Sequence, residues 1–248
     1  MALLHSMEES GKWLFKYRGQ LPLLLFVLAV PAIKFNSYLW ITNEVYLAFT
    51  ILAIVVSFLG LVIRAITIGI TPKGTSGRNT KEQVAEELNS KGIYSVLRHP
   101  LYLGNFLMWL GIVIFTFNLW FLFSFCLLYW LYYERIMFAE ERFLERKFGQ
   151  TYINWSLKIP AFIPSFKNYE KTEMNFSLKA VLRREYSGVL ATLIAFNFII
   201  LVRQFFYPGS FNFSQELLLK INVPIIVLVA SLKILKKFTH VLSDSSRS

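Results

Sequence analysis

Residues 92–104 read Gly-Ile-Tyr-Ser-Val-Leu-Arg-His-Pro-Leu-Tyr-Leu-Gly and set Tyr94, Arg98, His99 and Tyr102 at the threshold of a long apolar run. Charged and imidazole groups in such a place are costly unless they serve a site. A second polar cluster, Glu140-Glu141, lies on 134–144, the amphipathic continuation of a later apolar run. The two clusters offer acids, a guanidinium, an imidazole and two phenols, a set suited to holding a charged small molecule. Other chemistries lack raw material. The sole Asp is Asp244 in a Ser-rich tail, the histidines are His5, His99 and His240, and the sole cysteine is Cys126, inside an apolar run. A Ser-His-Asp triad, a multi-histidine or cysteine metal site and a disulfide framework are therefore not expected. Neither a Gly-x-Gly-x-x-Gly loop nor a Walker loop occurs, which excludes the familiar Rossmann and P-loop nucleotide sites.

The elements that must position these groups are written in the composition. Of 248 residues, 55% are hydrophobic and 17% aromatic, more apolar side chain than one soluble core holds. The apolar runs are 21–35, 45–70, 101–117, 119–133, 186–202 and 217–235, and they predict an all-α, polytopic membrane protein of about six transmembrane helices. From 101 to 133 there is no charged residue; as one helix this stretch would reach about 50 Å, against a hydrocarbon core of roughly 30 Å. It is expected to fold back at Thr116-Phe117-Asn118 as a helical hairpin, bringing its two ends, and with them the two polar clusters, to one membrane face. The net charge of +11 is spread between the runs, which favours lipid headgroups over nucleic acid as the anionic partner. Lys and Arg concentrate before the first run, in 71–100, in 134–185 and in the tail, leaving Lys34, Arg203 and Lys220 for the other side and Arg64 within a run. The distribution predicts both termini and the polar clusters on the cytoplasmic side. The first apolar run lacks a small-residue cleavage site and is read as retained.

These residues resemble a known family. Gly92-x-Tyr94, Arg98-His99-Pro100-x-Tyr102-x-Gly104, Asn118 at the turn, Glu140-Glu141, Phe148-Gly149-x-x-Tyr152 and the pair Pro160 and Pro164 are similar to the pattern of the isoprenylcysteine carboxyl methyltransferases and related membrane methyltransferases, over roughly 64–166. The resemblance implies S-adenosyl-L-methionine bound without a Rossmann domain, in a cytoplasmic pocket that a membrane lipid or lipidated substrate reaches from within the bilayer. By motif match, Tyr94, His99, Pro100, Leu101, Tyr102 and Glu140 line the cofactor, with Leu88, Asn89 and Asn79 as further contacts. Arg98, Glu141 and Arg135 are the candidates for catalysis. The implied organisation is amino-terminal transmembrane helices over 1–70, a methyltransferase core over 71–166 and a transmembrane pair over 167–248.

Plainer roles compete at each position. Arg98 suits a snorkelling helix-end cation, Glu140-Glu141 a solvated face balancing Arg142 and Arg146, and the tyrosines an interfacial belt. Arg64 reads as a snorkeller or as the buried partner of Glu140 or Glu141. One departure bears on substrate: family members acting on prenylcysteine carry an Arg four residues before the first Glu of the pair, where this chain has Ile136. Arg135 is one residue away, about 100° around a helix. That leaves room for another acidic lipid held by Arg135, Lys73, Arg78 or Lys158. Methyl transfer to an existing oxyanion needs no base, so the scarcity of Asp and His favours O-methylation over methylation of an ammonium. Phospholipid N-methylation, a sterol-reductase-like protein and a non-catalytic membrane protein stand as alternatives.

Overall fold

The computed structural model describes residues 2–20, 22–72, 85–208 and 215–242. These form helices α1 (Ala2–Tyr17), α2 (Pro22–Lys34), α3 (Asn43–Ile70), α4 (Pro100–Ile114), α5 (Leu119–Phe148), α6 (Gln150–Ser156), α7 (Leu178–Phe206) and α8 (Gln215–Phe238), with no strand among the described residues. Local chemistry places the helix starts. Thr42, Asn118 and Ser177 each accept a backbone N–H of the first turn, and Pro100 opens α4, where its missing N–H is no loss. By length and composition α3, α5 and α7 are able to cross a membrane, while Leu23–Lys34 and Pro100–Ile114 are apolar but shorter. The run 101–117 overstated its helix: α4 ends at Ile114, Thr116 turns its hydroxyl back onto the Val113 carbonyl, and Phe117 takes a φ of 57°. Its 15 residues span about 22 Å, short of a hydrocarbon core.

α3 and α4 pack at backbone distance through small residues. A Cβ on Gly60 would stand 2.5 Å from the Gly104 carbonyl oxygen, and one on Gly111 would stand 2.3 Å from that of Ala53. Between these contacts the Ser57 hydroxyl donates to the Met108 carbonyl at 2.9 Å. Such a seam suits helices in lipid, where close van der Waals contact replaces the hydrophobic effect as the main attraction. α5 meets α4 through rings: Phe106 lies against Phe125 and Tyr129, and Tyr102 lies 4.9 Å from Tyr133.

Two further contacts fix the ends of the bundle. α1 lies along α5, with Gly11 against the Arg135 carbonyl and Glu8 paired to Arg146 at 2.8 Å. α7 lies against α3, and the far end of α7 buries Arg203 with its guanidinium over the rings of Phe115 and Phe117. The irregular segment after α6 then straps the motif. The backbone N–H groups of Arg98 and His99 donate to the carbonyls of Pro160 and Ala161, Ser165 donates to Val96, and Gly92, at φ 62°, donates to Glu170. A side chain on Gly92 would meet both Ile70 and Thr172, so glycine is required there by conformation and by space.

Candidate active site

Pro100 starts α4 while His99 caps it with φ −121° and ψ 61°, a bend that turns Arg98 and His99 toward the carboxyl-terminal part of α5. There they meet both glutamates. Arg98 donates through Nε and Nη2 to the two oxygens of Glu141 at 2.9 and 3.2 Å, and its Nη1 donates to the carbonyls of Ser156 and Ile159 at 2.6 and 3.1 Å. His99 is buried; its Nε2 is 2.8 Å from Glu141 Oε1 and its Nδ1 3.7 Å from Glu140 Oε2. The Tyr102 hydroxyl donates to Glu140 Oε2 at 2.8 Å, and the Tyr102 ring lies 5.5 Å from the His99 ring at an interplanar angle of 16°. The carboxylates are thus held differently, Glu141 by a guanidinium and an imidazole, Glu140 by a phenol. Burial pushes the Tyr94 phenol up to about 12, so it remains protonated at any working pH. Burial also raises the Tyr152 phenol, which lies on α6 beside Glu141.

Behind this cluster a polar chain runs into the bundle. Tyr129 stacks on Tyr133 at 4.2 Å and donates to the Tyr102 carbonyl. The Asn105 amide reaches the Tyr133 hydroxyl at 3.2 Å and accepts from Arg64, whose other donors grip both oxygens of Glu185 at 2.7 Å. Arg64 is therefore a buried partner, as one of its two readings had it, but the acid is Glu185 of α7 and not Glu140 or Glu141. The distance explains the error: the glutamate pair lies beyond Tyr102, while Arg64 lies beside Gly104 and Asn105.

The predicted residues divide as follows. Arg98, His99, Tyr102, Glu140 and Glu141 come together. Pro100 is buried and Leu101 half-buried in the first turn of α4, and Tyr94 lies in the 3-10 turn Gly92–Ser95, with Leu88 and Asn89 half-buried in the irregular segment ahead of it. Arg135 turns away: its guanidinium donates to the Ser10 hydroxyl of α1 at 3.3 Å. Ile136 is fully buried. Lys158 is exposed, while Asn79, Lys73 and Arg78 fall outside the described residues. Sequence reasoning passed over Asn105, Tyr133 and Glu185. The first two were legible as polar groups in an apolar run at helical spacing from Tyr102 and Glu140, but Glu185 is separated by 121 residues from the cation that it serves.

Comparison with known proteins finds relatives over the stretch that contains these residues. The family model described as phospholipid methyltransferase matches residues 44–151, from the first turn of α3 into α6. The Schizosaccharomyces pombe protein-S-isoprenylcysteine O-methyltransferase is 27% identical over 169 residues, covering 63% of this chain and 69% of the yeast protein. Over this region the chain is similar to the isoprenylcysteine O-methyltransferases and to the phospholipid methyltransferase family. Arabidopsis thaliana protein-S-isoprenylcysteine O-methyltransferase B is 29% identical over 79 residues, 32% of this chain and 40% of the plant protein. No solved structure matches the chain. The matched region contains the whole Arg98–Glu141 cluster. It leaves out α1, α2, α7 and α8, so Glu185 and the α1 contacts to α5 belong to the part that the family model does not describe.

Proposed function

We propose that this methyltransferase moves a methyl group from S-adenosylmethionine to an acidic oxygen of a lipid or lipidated substrate embedded in the bilayer. The observation that carries the reading is the meeting of Arg98 and His99 with Glu140 and Glu141 beside Tyr102 and Tyr94. The donor set suits the cofactor: Glu140 supplies an anion for its amine, and the Tyr94, His99 and Tyr102 rings supply flat faces for adenine and the sulfonium. When bound, S-adenosylmethionine contributes a methyl group already activated for displacement.

The chain's own residues position and exclude water. The Tyr102 hydroxyl fixes the Glu140 carboxylate, while Arg98 and His99 hold Glu141 and Arg98 ties it to the carbonyl end of α6, so Glu141 serves as the anchor of the site. An acceptor oxygen that is already anionic needs no proton removed, so alignment with the methyl group is the main requirement. In the arrangement we favour, six apolar helices cross the membrane, α4 and α5 form a hairpin turning at Asn118, and both termini and the site face the cytoplasm. The names of the yeast and plant relatives support a carboxylate acceptor. The description of the matching family model favours a second reading, methylation of a phospholipid amine.

Calorimetry with S-adenosylhomocysteine tests the pocket. The wild type should bind it and not NADPH, and Glu140→Gln and His99→Ala should each weaken binding fivefold or more, the cost of about 1–3 kcal/mol for a polar partner lost from a desolvated site. Unchanged affinity in both variants would remove the cofactor from this cluster. Mass spectrometry of the product separates the acceptors: a carboxyl methyl ester releases methanol in mild alkali, whereas methyls on nitrogen would refute O-methylation.

A further inference from the structure

Arg64 of α3 and Glu185 of α7 form an ion pair at 2.7 Å between two helices that are able to cross a membrane. Glu185 is buried, and both of its oxygens accept from Arg64. As a source of stability such a pair is poor, because the cost of taking two charges out of water offsets most of their attraction and well-packed apolar side chains would serve as well. Nor does α3 need it to reach α4, which it already meets through Gly60, Gly104 and Gly111 and the Ser57 hydroxyl. Ionisable groups within a span are retained chiefly where they serve a site. The third bond of the guanidinium shows how this pair reaches one.

That bond goes to Asn105 Oδ1. A guanidinium only donates, so the amide oxygen must face Arg64 and the Nδ2 donors must face away from it. Nδ2 donates to the Tyr133 hydroxyl at 3.2 Å. The Tyr133 ring is buried, stacked on Tyr129 at 4.2 Å and lying against Tyr102 at 4.9 Å. Tyr129 in turn donates to the Tyr102 carbonyl at 2.7 Å, and the Tyr102 hydroxyl donates to Glu140 at 2.8 Å. Contacts therefore run without a break from Glu185 to Glu140 through α7, α3, α4 and α5. Glu185 takes two donors of one planar fork, which sets the plane of the guanidinium and with it the direction in which Asn105 is held.

We propose that Glu185 and Arg64 are positioning residues of the cofactor site, acting through Asn105 and Tyr133 on Tyr102 and Glu140. The proposal rests on the reading that S-adenosylmethionine binds at that cluster. It gives the carboxyl-terminal third a part in cofactor affinity, although Glu185 lies outside the stretch that the family model matches.

The test is a double-mutant cycle on the full-length protein in lipid vesicles, with S-adenosylhomocysteine affinity read by calorimetry well below the melting temperature of each variant. Glu185→Gln removes the charge that holds Arg64 and should weaken binding at least fivefold. Tyr133→Phe keeps the ring but removes the hydroxyl that receives the chain, and should weaken binding to a similar degree. With the chain cut in this way, adding Glu185→Gln should cost less than twofold more in affinity while still lowering the melting temperature. A loss smaller than fivefold in Glu185→Gln alone overturns the proposal. So does a further loss of twofold or more in the Tyr133→Phe background, because a pair that only supports the fold acts whether or not that hydroxyl is present. Should Glu185→Gln fail to fold, Asn105→Leu, which leaves the ion pair in place, takes its position in the cycle with the same expected factors and the same overturning results. A wild type that does not bind S-adenosylhomocysteine removes the cofactor reading and this proposal with it, whereas wild-type binding with an uncoupled cycle removes this proposal alone.

Discussion

Arg98 makes four hydrogen bonds to three different segments: the two oxygens of Glu141 on α5, the last turn of α6 at Ser156, and Ile159 on the strap. Lysine carries one charge but cannot present a planar fork to a carboxylate and to two carbonyls at once. Arg98→Lys is therefore expected to lower activity by an order of magnitude or more and to raise amide exchange over 157–165, with α3 and α4 unchanged. Unaltered exchange in that segment would show that the guanidinium is not what fastens it. At this scale the sequence was informative where polar groups stand close together in one motif or at helical spacing. His99 and the glutamate pair stood out because a buried charge in an apolar run demands a partner. Arg135 looked better placed than it is, since a helical register fixes its azimuth but not which neighbour, here α1, occupies that side.

The α3–α4 seam is the element on which the cluster depends, because α4 carries His99 at its cap and Tyr102 in its first turn. Gly60 and Gly111 leave no room for a side chain, so Gly60→Leu should destabilise the solubilised protein by about 1–3 kcal/mol or more through overpacking. Gly19→Ala, where an added Cβ meets nothing within 4 Å, serves as the neutral control in the same thermal melt. The docking of α1 carries a pH dependence. Hydrogen bonds from Arg146 and Lys12 hold the Glu8 carboxyl down to about 2, from an ordinary value of 4.5. Its folded-state pKa is depressed, so its contribution is complete above about pH 4.5 and is lost as pH falls toward 2. Amide exchange of α1 should accelerate across that window, and Glu8→Gln should abolish the dependence. Helix existence was legible in the apolar runs, and α3 ends where its run does, at Ile70. The turn at Thr116-Phe117-Asn118 was expected, but the end of α4 at Ile114 was not legible, because Phe115 simply continues the apolar run.

For the whole molecule, the arrangement in the bilayer is open to direct measurement. With Cys126 replaced by Ser, a cysteine at Trp120, exposed beside the Asn118 cap, should label from outside the cell, and one at Leu157, exposed at the site end, only after permeabilisation. Outside labelling at Leu157 would invert the molecule and move the site to the other face. The six-span expectation is the more demanding half of that picture, since among the described residues three helices qualify by length and composition alone. What no local pattern conveyed was the dependence of the matched region on the carboxyl-terminal third, which entered through Glu185.

That pair also sets an order of events during synthesis. Arg64 leaves the ribosome 121 residues before Glu185. At about 5–20 residues per second, α3 therefore exists for ~6–24 s with a charge whose acid has not yet been made. A lone Arg within a span, six residues from the end of α3, is disfavoured in lipid, so in that interval α3 is expected to stay at the insertion machinery or to be shielded by a chaperone, and to settle into the bilayer when α7 arrives. Chains arrested before residue 185 should keep α3 crosslinkable to the translocation channel, and Glu185→Ala should prolong that contact in the full-length chain. The acid that pairs with Arg64 would then also act as a timer, releasing α3 to lipid only once α7 has been translated.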